Sequence, residues 1–227
     1  MAAVHVFLIR HGETALNAAG VLRGQLDVPL SKTGEAEASA LSGLFREVPL
    51  RAILSSPLRR AADTARPMAS SSGGPLEIDD RLTDRFYGEW AGHPLEQVEE
   101  RFGSIDAAPF VEAWQLVEAR AEEAFSYAVA AAEAGAARDA GAARDAGGSP
   151  REDLPLGAAL VTHDAVLRSL LGRLLPASRM ATLELPTGSW SELVSSPGKG
   201  WRALHLGEVP ANGCRPVMGG PSGRAPA

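Results

Sequence analysis

With 227 residues, 45% of them hydrophobic and only 5% aromatic, the chain suits one domain whose core is packed mainly from Ala, Leu and Val. A net charge of −6, a pI near 5.4 and dispersed arginines argue against nucleic acid as the main partner, so an anionic ligand must be drawn by a local cluster of cations. The single cysteine, Cys214, excludes an internal disulfide and fits a reducing cytoplasm; no signal peptide is read at the start, and no apolar run reaches the roughly 20 residues of a membrane helix.

Residues 4–9 are a mainly apolar run that predicts a buried strand. Arg10, His11 and Gly12 fall where it ends, the place where α/β folds bind ligands. Neutral imidazole is a nucleophile, and a guanidinium grips phosphate oxygens in a planar fork. Residues 15–29 read as a loop carrying Asn17, Arg23 and Gln25. Ser31 is a candidate N-cap for a helix to about residue 48, and residues 51–55 form a second strand. Ser56 followed by Pro57 predicts an N-cap and first helical position, with Arg60 in the first turn, where a cation does not serve the helix dipole. A third strand spans 76–78, and the polar stretch 79–92 offers carboxylates, Asp84 and Glu89 among them. A short helix at 94–102 and a long amphipathic one at about 109–134 follow. The tandem hexamer Gly-Ala-Ala-Arg-Asp-Ala opens what reads as a flexible, low-complexity insert at about 135–153. The apolar strand 158–162 runs into His163 and Asp164 and then a helix, repeating the opening arrangement. Closing strands are expected at 182–185, 190–194 and 201–206, and residues 210–227 read as a disordered tail.

His11 and His163 both follow strands directly, so neighbouring parallel strands would bring them to one crevice. His5, His93 and His205 sit near no other candidate group in the sequence. The chain has no His-x-x-x-His, Cys-x-x-Cys, Gly-x-Ser-x-Gly or Walker-type motif, so neither a metal nor another cofactor is expected.

Five blocks, in order, resemble the histidine phosphatase superfamily, the phosphoglycerate-mutase-like proteins. They are Arg10-His11-Gly12-Glu13-Thr14 with Asn17; Arg23-Gly24 through Asp27, Pro29 and Gly34; Ser55-Ser56 with Leu58, Arg60 and Thr64; Arg81-Leu82 with Asp84, before Tyr87-Gly88 and Trp90; and Val161-Thr162-His163. The resemblance implies a three-layer α/β/α sandwich with a mostly parallel sheet over residues 1–209. It implies His11 as the phosphorylated nucleophile, Arg10, Arg60 and His163 as holders of the phosphoryl group, and Asn17 and Arg23 as accessory substrate contacts. The family's acid is usually glutamate where Asp84 stands. Asp84 is therefore the first candidate for proton donor and Glu89 the second. Asp164 stands where the family most often has glycine. The expected activity is a metal-independent phosphomonoesterase acting on a small phosphorylated metabolite. A cofactor-dependent phosphoglycerate mutase and a weakly catalytic phosphoester-binding regulatory protein are the alternatives. Homo-oligomerisation is left open.

Overall fold

Strand β1 (Val4–Arg10) lies near the middle of a six-stranded sheet. The computed structural model describes residues 3–145, 156–196, 200–210, 213, 215 and 216. Strands β2 (Leu50–Ser55), β3 (Leu76–Ile78), β4 (Leu156–Thr162), β5 (Trp190–Ser196) and β6 (Gly200–Glu208) complete the order β3-β2-β4-β1-β5-β6. The first four in this order are mutually parallel, whereas β5 runs antiparallel to β1 and β6 antiparallel to β5.

The chain moves from β1 outward to β2 and β3, then returns to insert β4 between β2 and β1. Right-handed crossovers therefore put the outward helices on one face and the returning helix on the other. The outward helices α2 (Lys32–Phe45) and α3 (Arg59–Ser72) cover Phe7, Ile9, Ile53, Ala159 and Val161. The returning α5 (Trp114–Asp145), with α6 (Asp164–Gly172), covers Val6, Leu8, Leu54, Ala158 and Leu160. Coverage of both faces is why the strands read as continuous apolar runs without alternation. The short helices α1 (Ala15–Ala18) and α4 (Leu95–Phe102) belong to the connections, and α7 (Ala177–Ala181) follows α6. A separate small cluster of Leu22, Trp90, Val98 and Ala108 joins the connections after β1 and β3 into a cap. Among the described residues no helix is long and apolar enough to cross a membrane.

Three expectations are corrected. Helix α3 begins at Arg59 with Leu58 as N-cap, not at Pro57 behind Ser56. The Ser56 hydroxyl oxygen accepts the Leu58 amide at 3.3 Å and is shared with His163, while Asp27 from the preceding loop accepts the Arg59 amide at 2.6 Å. Helix α5 does not stop near residue 134 but runs through the first hexamer and into the second, to Asp145. Alanine favours helix, Gly135 packs against Arg51 of β2, and Asp139 pairs with Arg51 at 3.0 Å. The rest of the expected insert, 146–153, lies outside the described residues. Finally, 182–185 is not a strand. The Leu183 and Leu185 carbonyls accept hydrogen bonds from arginine side chains instead of a strand neighbour. Most of the expected tail lies outside the described residues.

Candidate active site

Three parallel strands end side by side, and the next residue of each enters the same pocket. The His11 amide donates to the Thr162 carbonyl at 3.0 Å and the Ser56 amide to the Val161 carbonyl at 3.0 Å. Registry between β1 and β4 pairs Arg10 with Thr162, so His11 and His163 are brought together by the sheet itself, with ring centroids 5.0 Å apart. The turn after His11 fits only because residue 12 is glycine. A Cβ on Gly12 would lie 2.5 Å from the Gly34 carbonyl oxygen at the start of α2.

His11 is 1% exposed, and both ring nitrogens have partners. Nδ1 lies 2.7 Å from the Gly12 carbonyl oxygen, which can only accept, so Nδ1 carries the hydrogen. Nε2 keeps its lone pair and accepts from Arg60 Nε at 3.2 Å. Burial, then the Arg60 cation, holds the His11 pKa well below the ordinary histidine range. The ring is therefore neutral at pH 7 with its nucleophilic nitrogen turned toward a guanidinium.

Arg60 is fully buried and its fork is fixed at four points. It donates to the Leu26 and Gly24 carbonyls, each at 2.8 Å, and to Asp84 Oδ2 at 3.1 Å, besides His11. Asp84 is 3% exposed and accepts the Arg85 amide at 2.9 Å on its other oxygen. Burial raises the Asp84 pKa despite the pull of Arg60. His163 Nε2 lies 2.8 Å from the Ser56 hydroxyl, while Nδ1 is buried without a hydrogen bond, 3.8 Å from Asp84 Oδ2. A hydroxyl donating to Nε2 leaves the proton on Nδ1, ready for an anionic oxygen. Burial and Arg60 also hold the His163 pKa low.

Arg10 and Arg23 each have a buried Nε with no hydrogen-bond partner. The terminal nitrogen of Arg10 donates to the Leu185 carbonyl and lies 3.5 Å from Asp164, and that of Arg23 donates to the Val21 carbonyl at 3.1 Å. Asn17 spends its amide oxygen on α1, accepting the Thr14 amide at 3.0 Å and its hydroxyl at 2.7 Å, so only its NH₂ is left for a ligand. Glu89 is exposed on a 3₁₀ turn, Gly88–Trp90, and no hydrogen bond or ion pair among the described residues joins it to the pocket. Asp164 is paired with Arg10 and, at 2.8 Å, with Arg168.

Two residues beyond the expected set shape the pocket. Ser56 holds His163. Arg120 of α5 donates to the carbonyls of Arg81 at 2.8 Å, Asp84 at 3.3 Å and Thr83, and thereby fixes the loop that carries Asp84. Its signal in the sequence is a charge on the stripe of Val117, Ala121, Ala124 and Ala128, which is otherwise buried and apolar. His205, with no candidate partner in the sequence, stands 3.8 Å from Glu192, which His5 contacts at 2.6 Å on the same side of the sheet.

Two histidines, three guanidiniums and a buried carboxylic acid gather at the carboxyl ends of parallel strands, a set of charges and donors suited to an anion such as a phosphoryl group. The chain belongs to the histidine phosphatase superfamily (branch 1), whose sequence pattern matches residues 6–208. It is 30% identical to the adenosylcobalamin/alpha-ribazole phosphatase of Salmonella typhimurium over 193 residues, 84% of this chain and 90% of that one. It is 29% identical to the glucosyl-3-phosphoglycerate phosphatase of Mycobacterium tuberculosis over 207 residues, 90% and 86% of the two chains. The solved structure of a mycobacterial glucosyl-3-phosphoglycerate phosphatase superposes with a TM-score of 0.72 at 25% identity, covering 90% of this chain and 99% of that one.

Proposed function

We propose that the protein is a phosphomonoesterase that works through a phosphohistidine at His11 on a small phosphorylated metabolite. The observation that carries this reading is the fixed tautomer of His11: the proton sits on Nδ1, and the Nε2 lone pair faces the cations. Nε2 attacks phosphorus in line with the leaving oxygen. Arg10, Arg60 and His163 Nδ1 hold the equatorial oxygens and offset the charge that develops on them. Arg23 and the NH₂ of Asn17 are accessory contacts at the edge. These arginines supply the charge neutralisation that metal ions provide elsewhere, which is why we read the reaction as metal-independent.

Asp84 is the proton donor in this reading. Burial favours its protonated form, so it can give a proton to the leaving alkoxide. The resulting carboxylate then takes a proton from the water that attacks phosphohistidine. The shorter side chain, compared with the glutamate usual in the family, is compensated by position: Asp84 sits at hydrogen-bond distance from Arg60, which also touches His11. We place the protein in the cytoplasm on the strength of its single cysteine.

Protein incubated with a ³²P-labelled phosphoester and quenched in alkaline detergent should carry alkali-stable, acid-labile label on histidine, and His11→Ala should carry none. A panel with glucosyl-3-phosphoglycerate, α-ribazole phosphate and sugar phosphates, run in EDTA, identifies the substrate. Rapid isomerisation of 3-phosphoglycerate with catalytic 2,3-bisphosphoglycerate and no phosphate release would sink the phosphatase reading.

A further inference from the structure

Asp164 is an acid beside an anion site, and repulsion of substrate is its expected cost. It is also the first residue of α6, four positions before Arg168, so helix pairing alone could account for it. The geometry says more. Its Oδ2 accepts Arg168 Nε at 2.8 Å, while its Oδ1 turns the other way and lies 3.5 Å from Arg10. Arg168 also donates to the Leu183 carbonyl at 3.1 Å, and Arg10 donates to that of Leu185. Two arginines thus grip the same short linker two residues apart and share one carboxylate between them. The outcome for Arg10 is specific. Its terminal nitrogen is held by Leu185 and Asp164, and its buried Nε is left unpaired.

We propose that Asp164 is a positioning residue, bridging Arg10 to Arg168 so that the free Nε edge of Arg10 stays turned to the phosphoryl group. This rests on the phosphatase reading above. The pair with two guanidiniums leaves the Arg10–Asp164–Arg168 unit at a net charge of +1, so the acid does not turn the pocket negative. Asp84 is faced by Arg60 from α3, Arg10 at the end of β1, Arg23 from the following loop, His163 and Asp164 from the β4–α6 junction, Arg120 from α5, and by Arg85 and Tyr87 beside it. Asp164 is an anion in a ring composed mainly of cations. Its charge opposes their pull on the Asp84 pKa, as a smaller contribution than burial, Arg60 or Arg23.

The test compares Asp164→Asn, Asp164→Glu and Arg168→Gln with the wild type, in kcat/KM against pH and in the inhibition constant of inorganic phosphate. Asp164→Asn should lower kcat/KM roughly ten- to a hundredfold, because Arg10 loses its second anchor. It should weaken phosphate inhibition and move the alkaline limb of the profile to lower pH. Asp164→Glu should recover part of the rate and restore the limb. Arg168→Gln should lower kcat/KM severalfold without moving the limb down. An Asp164→Asn enzyme with wild-type kcat/KM and an unmoved limb overturns the proposal, as do equal losses in the Asn and Gln variants with no limb shift. If Asp164→Asn does not fold, a wild-type kcat/KM in Arg168→Gln overturns it. Wild-type turnover that depends on His11 is scored in the same assay, so failure of the phosphatase reading is seen separately.

Discussion

Arg60 Nε and His11 Nε2 share a hydrogen bond of 3.2 Å, so in the free protein the attacking nitrogen is masked by the cation that must later hold the phosphoryl group. An incoming phosphoryl oxygen competes for the same N–H. Arg60 does not have to move far, because the Gly24 and Leu26 carbonyls keep its other two nitrogens in place. The pocket is therefore preorganised by backbone acceptors that no substrate displaces.

Arg60→Lys replaces a fork of fixed donors with one mobile ammonium. The expected loss in kcat is about 10²–10³-fold, with a smaller rise in KM. Arg60→Ala also leaves the buried acceptors of Gly24, Leu26 and Asp84 without their donor and should cost roughly 1–3 kcal/mol of stability. Steady-state kinetics and urea unfolding measure the two effects. A lysine variant of wild-type kcat would contradict the fork's role.

Asp84→Asn keeps the shape of the acid but removes its proton. The rate on alkyl phosphates, whose leaving oxygen needs protonation, should fall about 10²–10⁴-fold. The burst of p-nitrophenol from p-nitrophenyl phosphate should be nearly unchanged, because that leaving group is stable as an anion. Glu89→Gln should affect neither. If the p-nitrophenyl burst falls as far as the alkyl rate, Asp84 acts through Arg60 and not as an acid.

Both pocket histidines are neutral when folded, and this makes stability depend on pH. Their folded pKa values lie well below the ordinary 6.5, so the unfolded chain binds more protons as pH falls through 6.5. Stability is complete above that value and is lost below it, by about 1.4 kcal/mol per histidine between pH 7.5 and 5.5. Asp84, raised by burial, works in the opposite direction, and Asp79, lowered by Arg81, contributes only in more acid solution. The difference in urea-unfolding free energy between those two pH values should shrink by about 1.4 kcal/mol in His11→Asn. An unchanged difference would mean that His11 is not held neutral.

Much of this was legible in the sequence for a physical reason. Val4 to Ile9 and Ala158 to Thr162 are buried on both faces, so their apolar runs had to be parallel strands, and His11 and His163 follow at their ends. The helix in which Arg60 sits was clear, but its start was not. Ser56 is a good N-cap residue whose hydroxyl is shared between the Leu58 amide and His163, 107 residues away, while the Arg59 amide is taken by Asp27, 32 residues before it. Arg120 was hidden for the same kind of reason, because its three carbonyl partners belong to a loop 36 to 39 residues earlier. The hexamers showed the reverse failure. Their composition suggested a linker, while Arg51, supplied by β2, docks Gly135 and Asp139 and keeps that stretch helical.

Gly34 and Gly43 lie in the same helix, α2, and alanine should act on them in opposite ways. At Gly43 a Cβ meets nothing within 4 Å, so Gly43→Ala should stabilise the protein by about 0.5–1 kcal/mol through helix propensity and leave activity unchanged. At Gly34 a Cβ would fall 2.1 Å from the Glu13 carbonyl oxygen and 2.7 Å from its amide nitrogen. Both are backbone atoms that cannot swing aside, and Glu13 is tied there by the Ser31 amide at 2.8 Å and by Glu37 at 2.7 Å. The turn holding Gly12 and Glu13 must therefore lift away from α2, and the Gly12 carbonyl that fixes the His11 tautomer lifts with it. Gly34→Ala should cost about 1–3 kcal/mol in stability and lower kcat/KM roughly ten- to a hundredfold. Thermal melts and initial rates on the pair decide the matter: equal behaviour of the two variants would show that the contact between α2 and the nucleophile's turn does not position His11.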